Sequence, residues 1–321
     1  MKKLALSLGI ILFGIIAGQV VKYLQKDKTD TETQKTSNVM NKIRLLAFLI
    51  FNPVVLINAY WIVDFSSITM LVVPFICLTV LAVGGIVALF ASKILKHTNK
   101  QKSAMFGCGT FSNLGTIGGL ITLIFLGEEA YTIAALYFVF ESFYNYLFAY
   151  PMVKGIAEGK GGEKSSLLKI FKDPSIIIYV GSIFVGLGLN FSGLERPDFM
   201  TTYNNIMVPT VSFMLTFAIS YKMEFQKIKS SIPEGMIAIL IKYIISPIVA
   251  VSIGYAFGLQ HISDGLVIKV LLIMSLVPCG FNSILTPTIY KSDKDVANSV
   301  WIMNMVALLV VIPLEYIFLV L

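Results

Sequence analysis

Long apolar runs, separated by short segments rich in lysine, make up almost the whole chain. A helix needs about 20 mainly apolar residues to cross the hydrocarbon core of a bilayer, and many of these runs reach that length. The sequence therefore predicts an all-α integral membrane protein with ten transmembrane helices, numbered here as spans 1 to 10. They are expected near residues 4–24, 43–63, 68–95, 104–126, 130–153, 175–191, 204–221, 235–258, 266–290 and 296–321.

Composition excludes a soluble fold. Of the 321 residues, 56% are hydrophobic and 13% are charged, about half the charged share of about 25% that is usual in soluble domains. The net charge of +7 is explained by the connections between spans, so no nucleic-acid partner is expected. The cysteines Cys77, Cys108 and Cys279 lie in apolar runs without metal-ligand spacing, so no metal or other cofactor is expected.

The basic residues alternate between the two sides of the predicted membrane. Twenty Lys and Arg residues fall in the first, third, fifth, seventh and ninth connections, and four fall on the opposite side. Cytoplasmic loops carry the excess of Lys and Arg, so both termini are expected outside the cytoplasm, in the cell membrane. The first run also has the charge pattern of a signal peptide, but it lacks a cleavage site of small residues and is assigned to span 1.

Spans 1–5 and spans 6–10 are spaced alike along the chain. This divides the sequence into a first half, 1–154, a cytoplasmic linker, 155–174, and a second half, 175–321. Because five is odd, the second half enters the membrane from the opposite side, which is the inverted repeat typical of secondary transporters. The alternative is that the similar spacing does not reflect a repeat, because any protein of ten helices can be divided into two sets of five.

Spans 4 and 9, which occupy matching places in the two halves, carry helix-breaking residues. Residues 107–119 contain five glycines, and residues 275–287 contain two prolines and a glycine. Unwound helices near the bilayer midplane expose backbone groups that bind substrate, and half-helix N-termini favour anions. The predicted substrate-binding residues are Ser112, Asn113, Gly115, Gly118, Pro278, Cys279, Gly280 and Asn282. The alternative is close helix packing at the glycines and simple kinks at the prolines.

These motifs resemble those of the auxin efflux carrier family. Span 4 has the family pattern of Asn, Gly two residues on and Gly five residues on, while Leu120 replaces the family's proline. Span 9 has Pro, a small residue two positions on and Asn four positions on. The matching residues are Asn113, Gly115, Gly118, Pro278, Gly280 and Asn282, together with Gly18, Asn52-Pro53 and Pro313.

The resemblance implies the fold of the bile acid and sodium symporters. Spans 4 and 9 would cross at their breaks in a core domain of spans 3–5 and 8–10, which slides like an elevator against a scaffold of spans 1, 2, 6 and 7. It implies transport of small organic anions such as malate, malonate or auxin-like acids, either as a facilitator or with H⁺ or Na⁺ as the coupling ion. A homodimer through the scaffold helices is a further expectation.

Two charged residues fall inside predicted spans. Glu141 lies about 17 Å into span 5, near the midplane, where it is expected to carry a coupling proton or to be a structural acid that shares hydrogen bonds with Tyr144 and Asn145. Lys242 lies about 10 Å into span 8. It is expected to attract the anion, to pair with Glu141 or to extend to the membrane surface.

Other functions are less well supported. A membrane sensor that binds a small molecule without moving it usually carries a cytoplasmic signalling domain, and the predicted loops are short. Another carrier of the bile acid and sodium symporter type is a closer alternative. An enzyme is not expected because HExxH, GxSxG and P-loop motifs do not occur. His97 and His261 are assigned to solvated loops, and Glu315 to the membrane interface.

Overall fold

The computed structural model describes residues 1–26, 28–65, 67–159, 174–224 and 231–320, without the side chain of Ser175. These residues are mainly helical, and they contain no strand beyond an isolated bridge, which confirms the all-α class. Most of the predicted linker 155–174 lies outside the described residues. The α-helices are α1 Lys2–Tyr23, α2 Asp30–Leu46, α3 Asn52–Trp61, α4 Val73–Ile94, α5 Asn99–Thr110, α6 Gly119–Leu126, α7 Glu128–Tyr137, α8 Glu141–Tyr144, α9 Tyr150–Ala157, α10 Pro174–Phe191, α11 Phe199–Ser220, α12 Ile232–Leu240, α13 Ser246–Ala256, α14 Leu266–Ser275, α15 Asn282–Tyr290 and α16 Lys294–Val320.

Several helical stretches in the described part of the chain have the length and apolar composition needed to cross a membrane. Five of them qualify in full, and two shorter apolar helices, Leu114–Leu126 and Ile176–Phe191, accompany them. The five are Lys2–Tyr23, Asp30–Trp61, Ile68–Ile94, Ile232–Ala256 and Lys294–Val320. The protein is therefore of the membrane-embedded class, and the ten crossings stay a prediction.

Two predicted boundaries are wrong. The helix of span 2 begins at Asp30 and not near residue 43, because Thr29 and Glu32 form a capping box that stabilises a polar helical extension. Span 5 was expected as one helix over 130–153, but helix begins at Glu128, ends at Ala157 and is interrupted just before Glu141. Apolar periodicity locates the buried part of a helix and gives little information about its polar ends.

In the described part of the chain, four short π-helical segments lie within helices or at the start of one. Such segments hold one extra residue in a turn and occur frequently at functional sites. They cover Ala47–Phe51, Leu114–Gly118, Asn145–Ala149 and Ile241–Ile245. Each one contributes a residue to the site described below or adjoins it.

Small residues bring neighbouring helices into close contact. On α1, Gly14 and Gly18 face α11, where a methyl group on Gly18 would clash with the backbone of Phe217. Gly84 of α4 and Gly109 of α5 approach each other in the same way. Close approach of this kind lets membrane helices associate through van der Waals packing, and it explains the glycine pair in the first apolar run.

The helices fall into two sets by their contacts. In one set, α1 packs on α11, and α3 packs on α10 and α11. In the other, α4 packs on α5 and α13, α14 packs on α7 and α13, and α16 packs on α5 and α12. The candidate site lies between the two sets, where α5 and α14 end.

Candidate functional site

Both predicted helix breaks are present in the structure. Helix α5 ends at Thr110, and helical structure resumes at Leu114. Helix α14 ends at Ser275, and α15 begins at Asn282. The glycines and prolines in these two stretches therefore do more than kink the helices.

The two breaks cross each other and are joined by backbone hydrogen bonds. The amide of Asn113 donates to the carbonyl of Pro278 at 3.0 Å, and the amide of Gly280 donates to the carbonyl of Phe111 at 2.9 Å. Together they form a short antiparallel bridge. A methyl group on Gly280 would lie 2.7 Å from the carbonyl oxygen of Ser112, so the crossing has no room for a side chain at this glycine.

Part of the predicted substrate-binding set lies inside this crossing. The Cys279 thiol donates to the carbonyl of Cys108 at 3.1 Å. Gly118 is packed against Met274 and Val277. These residues, like Pro278 and Gly280, hold the two breaks together and do not line the cavity beside them.

A cavity of about 790 Å³ lies against the crossing, between the two sets of helices. Of the predicted residues, its lining contains Ser112, Asn113, Gly115, Asn282 and Glu141. Gly118, Pro278, Cys279, Gly280 and Lys242 are not part of the lining. The lining extends to Lys154, Ile219 and Tyr290, near the ends of α9, α11 and α15. By the distribution of basic residues, these helix ends lie on the predicted cytoplasmic side.

Two asparagines contribute buried polar atoms that have no hydrogen-bond partner among the described residues. They are Nδ2 of Asn113 and Oδ1 of Asn145, and each side chain belongs to a residue that is 4% exposed. Buried polar groups in proteins are normally paired, so unpaired atoms beside a cavity indicate a place for water or ligand. Asn113 offers a donor, and Asn145 offers an acceptor.

Glu141 is half-buried on the cavity wall. Its Oε1 accepts a hydrogen bond from Nδ2 of Asn145 at 3.4 Å, as expected from the sequence. The expected bond from Tyr144 is not formed, because the Tyr144 hydroxyl bonds to Oγ1 of Thr110 at 2.9 Å. The carboxylate thus retains capacity to bind a further donor.

Lys242 is 1% exposed, and it lies in the π segment Ile241–Ile245 behind the crossing. Its ammonium donates to the carbonyl of Gly109 at 2.7 Å and to Oγ of Ser112 at 2.8 Å. It does not extend to the membrane surface. Within the described residues it forms no ion pair with Glu141, so neither of these two expected arrangements is present.

Both arginines of the chain lie in polar parts of the structure, although the sequence assigns them only to the basic residues that orient the spans. Arg44 lines the cavity together with Lys154, and Arg196 belongs to the cluster described next. In a chain whose other basic residues are all lysines, the choice of arginine is a usable signal, since its guanidinium binds carboxylates in two-pronged geometry.

A second polar cluster lies on the opposite side, where α7 and α11 begin. Arg196 holds both oxygens of Glu128, with Nη1–Oε1 at 2.7 Å and Nη2–Oε2 at 2.9 Å, and Nη1 also donates to Asn58 at 2.9 Å. Burial alone raises the pKa of Glu128. The hydrogen bonds from Arg196, Thr201 and Asn204 outweigh burial, so that the pKa of Glu128 lies below its ordinary value.

The chain matches no protein-family model and no curated protein. Among the described residues, no group of three or more His, Cys, Asp or Glu side chains is placed to hold a metal ion.

Two assignments made from the sequence are wrong. His97 is not solvated, because it is buried and its Nε2 lies 3.1 Å from Oε1 of Glu234, at the start of α12. Glu315 does not lie at the interface, because it is 3% exposed, and neither of its oxygens has a partner among the described residues. In both cases the neighbours come from distant segments, which the local pattern does not reveal.

Proposed function

We propose that this protein is a carrier of small organic anions, of the auxin efflux carrier type, in the cell membrane. The single observation that carries the proposal is the cavity at the crossing of two broken helices, with the unpaired amide of Asn113 on its wall. Binding at unwound helices is a general property of secondary transporters. The candidate cargo is a carboxylate such as malate, malonate or an auxin-like acid.

The proposed membrane arrangement has ten spans in two inverted halves with both termini outside the cytoplasm. Its support is that α5–α6 and α14–α15, the broken pairs, occupy matching positions in the two halves of the sequence. Two spans that are each interrupted near the bilayer midplane would place both breaks at similar depth. The backbone bonds between Asn113 and Pro278 fit this arrangement.

The cavity wall has the groups that an organic anion needs. The amides of Asn113 and Asn282 can donate to a carboxylate, and Arg44 and Lys154 contribute positive charge farther along the wall. Phe281 is among the aromatic and aliphatic side chains that line the remainder and suit an apolar body. This mixture of mainly apolar lining and a few polar groups is usual for small-molecule sites.

Contacts between the two sets of helices on the side away from Lys154 fit alternating access by an elevator motion. On the side away from Lys154, the two sets of helices are joined by the Arg196–Glu128 pair. Farther along α7, the Tyr60 hydroxyl donates to the carbonyl of Ala135 at 2.8 Å, which also joins the two sets. The core set of spans 3–5 and 8–10 would have to break these contacts to expose the site on the other side, by movement against spans 1, 2, 6 and 7.

Uptake by purified protein in proteoliposomes tests the proposal. We expect accumulation or exchange of at least one radiolabelled acid from a panel of malate, malonate, succinate and indole-3-acetate. Asn113→Ala and Asn282→Ala should each reduce the rate about tenfold or more, since one hydrogen bond to a charged ligand contributes about 1.5–3 kcal/mol. Asn205→Ala, at an exposed site outside the cavity, is the matched control.

Two alternatives make different predictions in the same experiment. A membrane sensor would bind an acid without moving it, so equilibrium binding would be measured and uptake would be absent. Another carrier of the bile acid and sodium symporter type would prefer larger amphipathic anions over the short acids of the panel. Absence of both binding and uptake, with unchanged behaviour of the asparagine variants, would refute the proposal.

A further inference from the structure

The buried ammonium of Lys242 has a defined pair of oxygen partners. A charged side chain in the interior of a membrane protein is costly, so its charge has to be compensated locally. The compensation comes from the carbonyl of Gly109 at 2.7 Å and Oγ of Ser112 at 2.8 Å, both on the chain that forms the first break. A carboxylate is not among these partners.

The break itself makes the Gly109 carbonyl available. In a continuous helix this oxygen would accept the amide of residue 113, four positions on. Here the Asn113 amide donates to the carbonyl of Pro278, so the Gly109 oxygen is left to Lys242. Free carbonyls at the C-terminal end of a helix also carry partial negative charge, which favours a cation at this place.

Backbone carbonyls at unwound helix ends coordinate Na⁺ in secondary transporters, and a hydroxyl supplies a further oxygen of the kind that hard cations bind. We propose that the Lys242 ammonium is a fixed cation in the place that a free Na⁺ would otherwise take, so that this crossing functions without Na⁺. For transport, this inference rests on the proposed carrier function. It predicts that Na⁺ is not the coupling ion bound at this crossing.

The fixed cation also acts on the binding cavity through Ser112. The Ser112 oxygen accepts from Lys242, so its hydroxyl hydrogen remains free for an acceptor in the cavity that Ser112 lines. The positive charge lies directly behind this hydroxyl. Lys242 is thus a positioning residue that favours an anion without touching it, and the same charge would oppose a second cation.

Thermal melting of the detergent-purified protein tests the inference without any substrate. The wild type, Lys242→Gln and Lys242→Arg are melted in choline chloride and in NaCl at equal ionic strength, with KCl as a further control. We expect the wild type and Lys242→Arg to melt at the same temperature in all three salts. Lys242→Gln should melt about 5 °C lower in choline chloride, because the shorter, uncharged side chain does not replace the ammonium at both buried acceptors. It should recover at least half of this loss in NaCl, saturably.

Lys269→Gln removes an exposed lysine from α14 and is the matched control, expected to respond to no particular cation. If Lys242→Gln does not fold, it is replaced by Lys242→Met, whose unbranched chain fills much the same volume. The response of the wild type to Na⁺ tests the inference even without a variant. Stabilisation of the wild type by Na⁺ over choline would overturn the inference. So would a Lys242→Gln or Lys242→Met protein that melts like the wild type or whose loss is not recovered selectively by Na⁺.

The uptake assay separates this inference from the carrier proposal. If an acid is transported, its uptake by the wild type should be equal with Na⁺ or choline outside, and uptake that requires Na⁺ would overturn the inference while leaving the carrier function in place. If no acid is transported, the carrier proposal fails, and the melting experiment still decides whether Lys242 occupies a cation position.

Discussion

Arg196 holds the carboxylate of Glu128 with both of its terminal nitrogens, at 2.7 and 2.9 Å, across the boundary between the two sets of helices. Glu128 begins α7, whereas Arg196 precedes α11. Two-pronged pairs of this kind are strong and directional. This contact therefore joins the two sets of helices firmly on the side of the molecule away from Lys154.

The pair should make stability depend on acid pH. The pKa of Glu128 is lowered in the folded protein, so its contribution is complete above the ordinary glutamate pKa of about 4.3 and is lost as the pH falls through the lowered value. The melting temperature of the wild type should therefore fall more steeply below pH 5 than that of Glu128→Gln. Melting curves in detergent from pH 7 to pH 3 measure this, and parallel curves would contradict it.

Gly280 should not tolerate even a methyl group. The added carbon would lie 2.7 Å from the carbonyl oxygen and 2.9 Å from the carbonyl carbon of Ser112, both of them backbone atoms that cannot move independently. We expect Gly280→Ala to destabilise the protein by about 1–3 kcal/mol, as other overpacking substitutions do. Gly115→Ala is the control, because a carbon there meets nothing within 4 Å. Equal melting temperatures for the two variants would count against the tight crossing.

Glu141 should be required for any coupling of transport to protons. In Glu141→Gln the amide oxygen can still accept from Asn145, so the local structure is expected to persist. Uptake should then continue at a low rate but lose its response to an imposed pH gradient. Proteoliposomes with and without the gradient measure this, with exposed Glu129→Gln as the control. A gradient response equal to that of the wild type would assign Glu141 a structural role.

Cysteine labelling in intact cells should reveal which side the cavity faces. All three native cysteines are buried, so the wild type should react little with a water-soluble maleimide. Ser142→Cys, on the cavity wall, should react from the cytoplasmic side, and Glu195→Cys, exposed near Arg196, from the outside. Reaction of both from one side would contradict the predicted topology.

The local features of the fold were predictable from the sequence, and the contacts between distant segments were not. Glycines and prolines in 107–119 and 275–287 predicted the two breaks because their effect on a helix is local. Glu141 and Lys242 were recognisable as charges within apolar runs. The partners of Lys242, more than 100 residues earlier in the chain, depend on which backbone groups the crossing frees. A single sequence does not show this.

The same reasoning explains the residues whose surroundings in the structure differ from those expected from the sequence. His97 follows an apolar run in a polar segment, and its pattern is that of an exposed loop, yet Glu234 from a distant helix covers it. Gly118, Pro278, Cys279 and Gly280 were expected to bind substrate because they flank the breaks. A break has an inner side that holds it together and an outer side that meets the cavity, and sequence position does not distinguish them.

The crossing is joined by main-chain atoms, and this has a consequence for how such a protein can diverge. The amides of Asn113 and Gly280 donate to backbone carbonyls, so these bonds would form with almost any side chain at the two acceptor residues. Position 280, in contrast, has room only for glycine. Side chains on the cavity wall can therefore be exchanged without loss of the architecture. Related chains should retain the glycine while the side chains that face the cavity change, so that ligand preference is inherited separately from the fold.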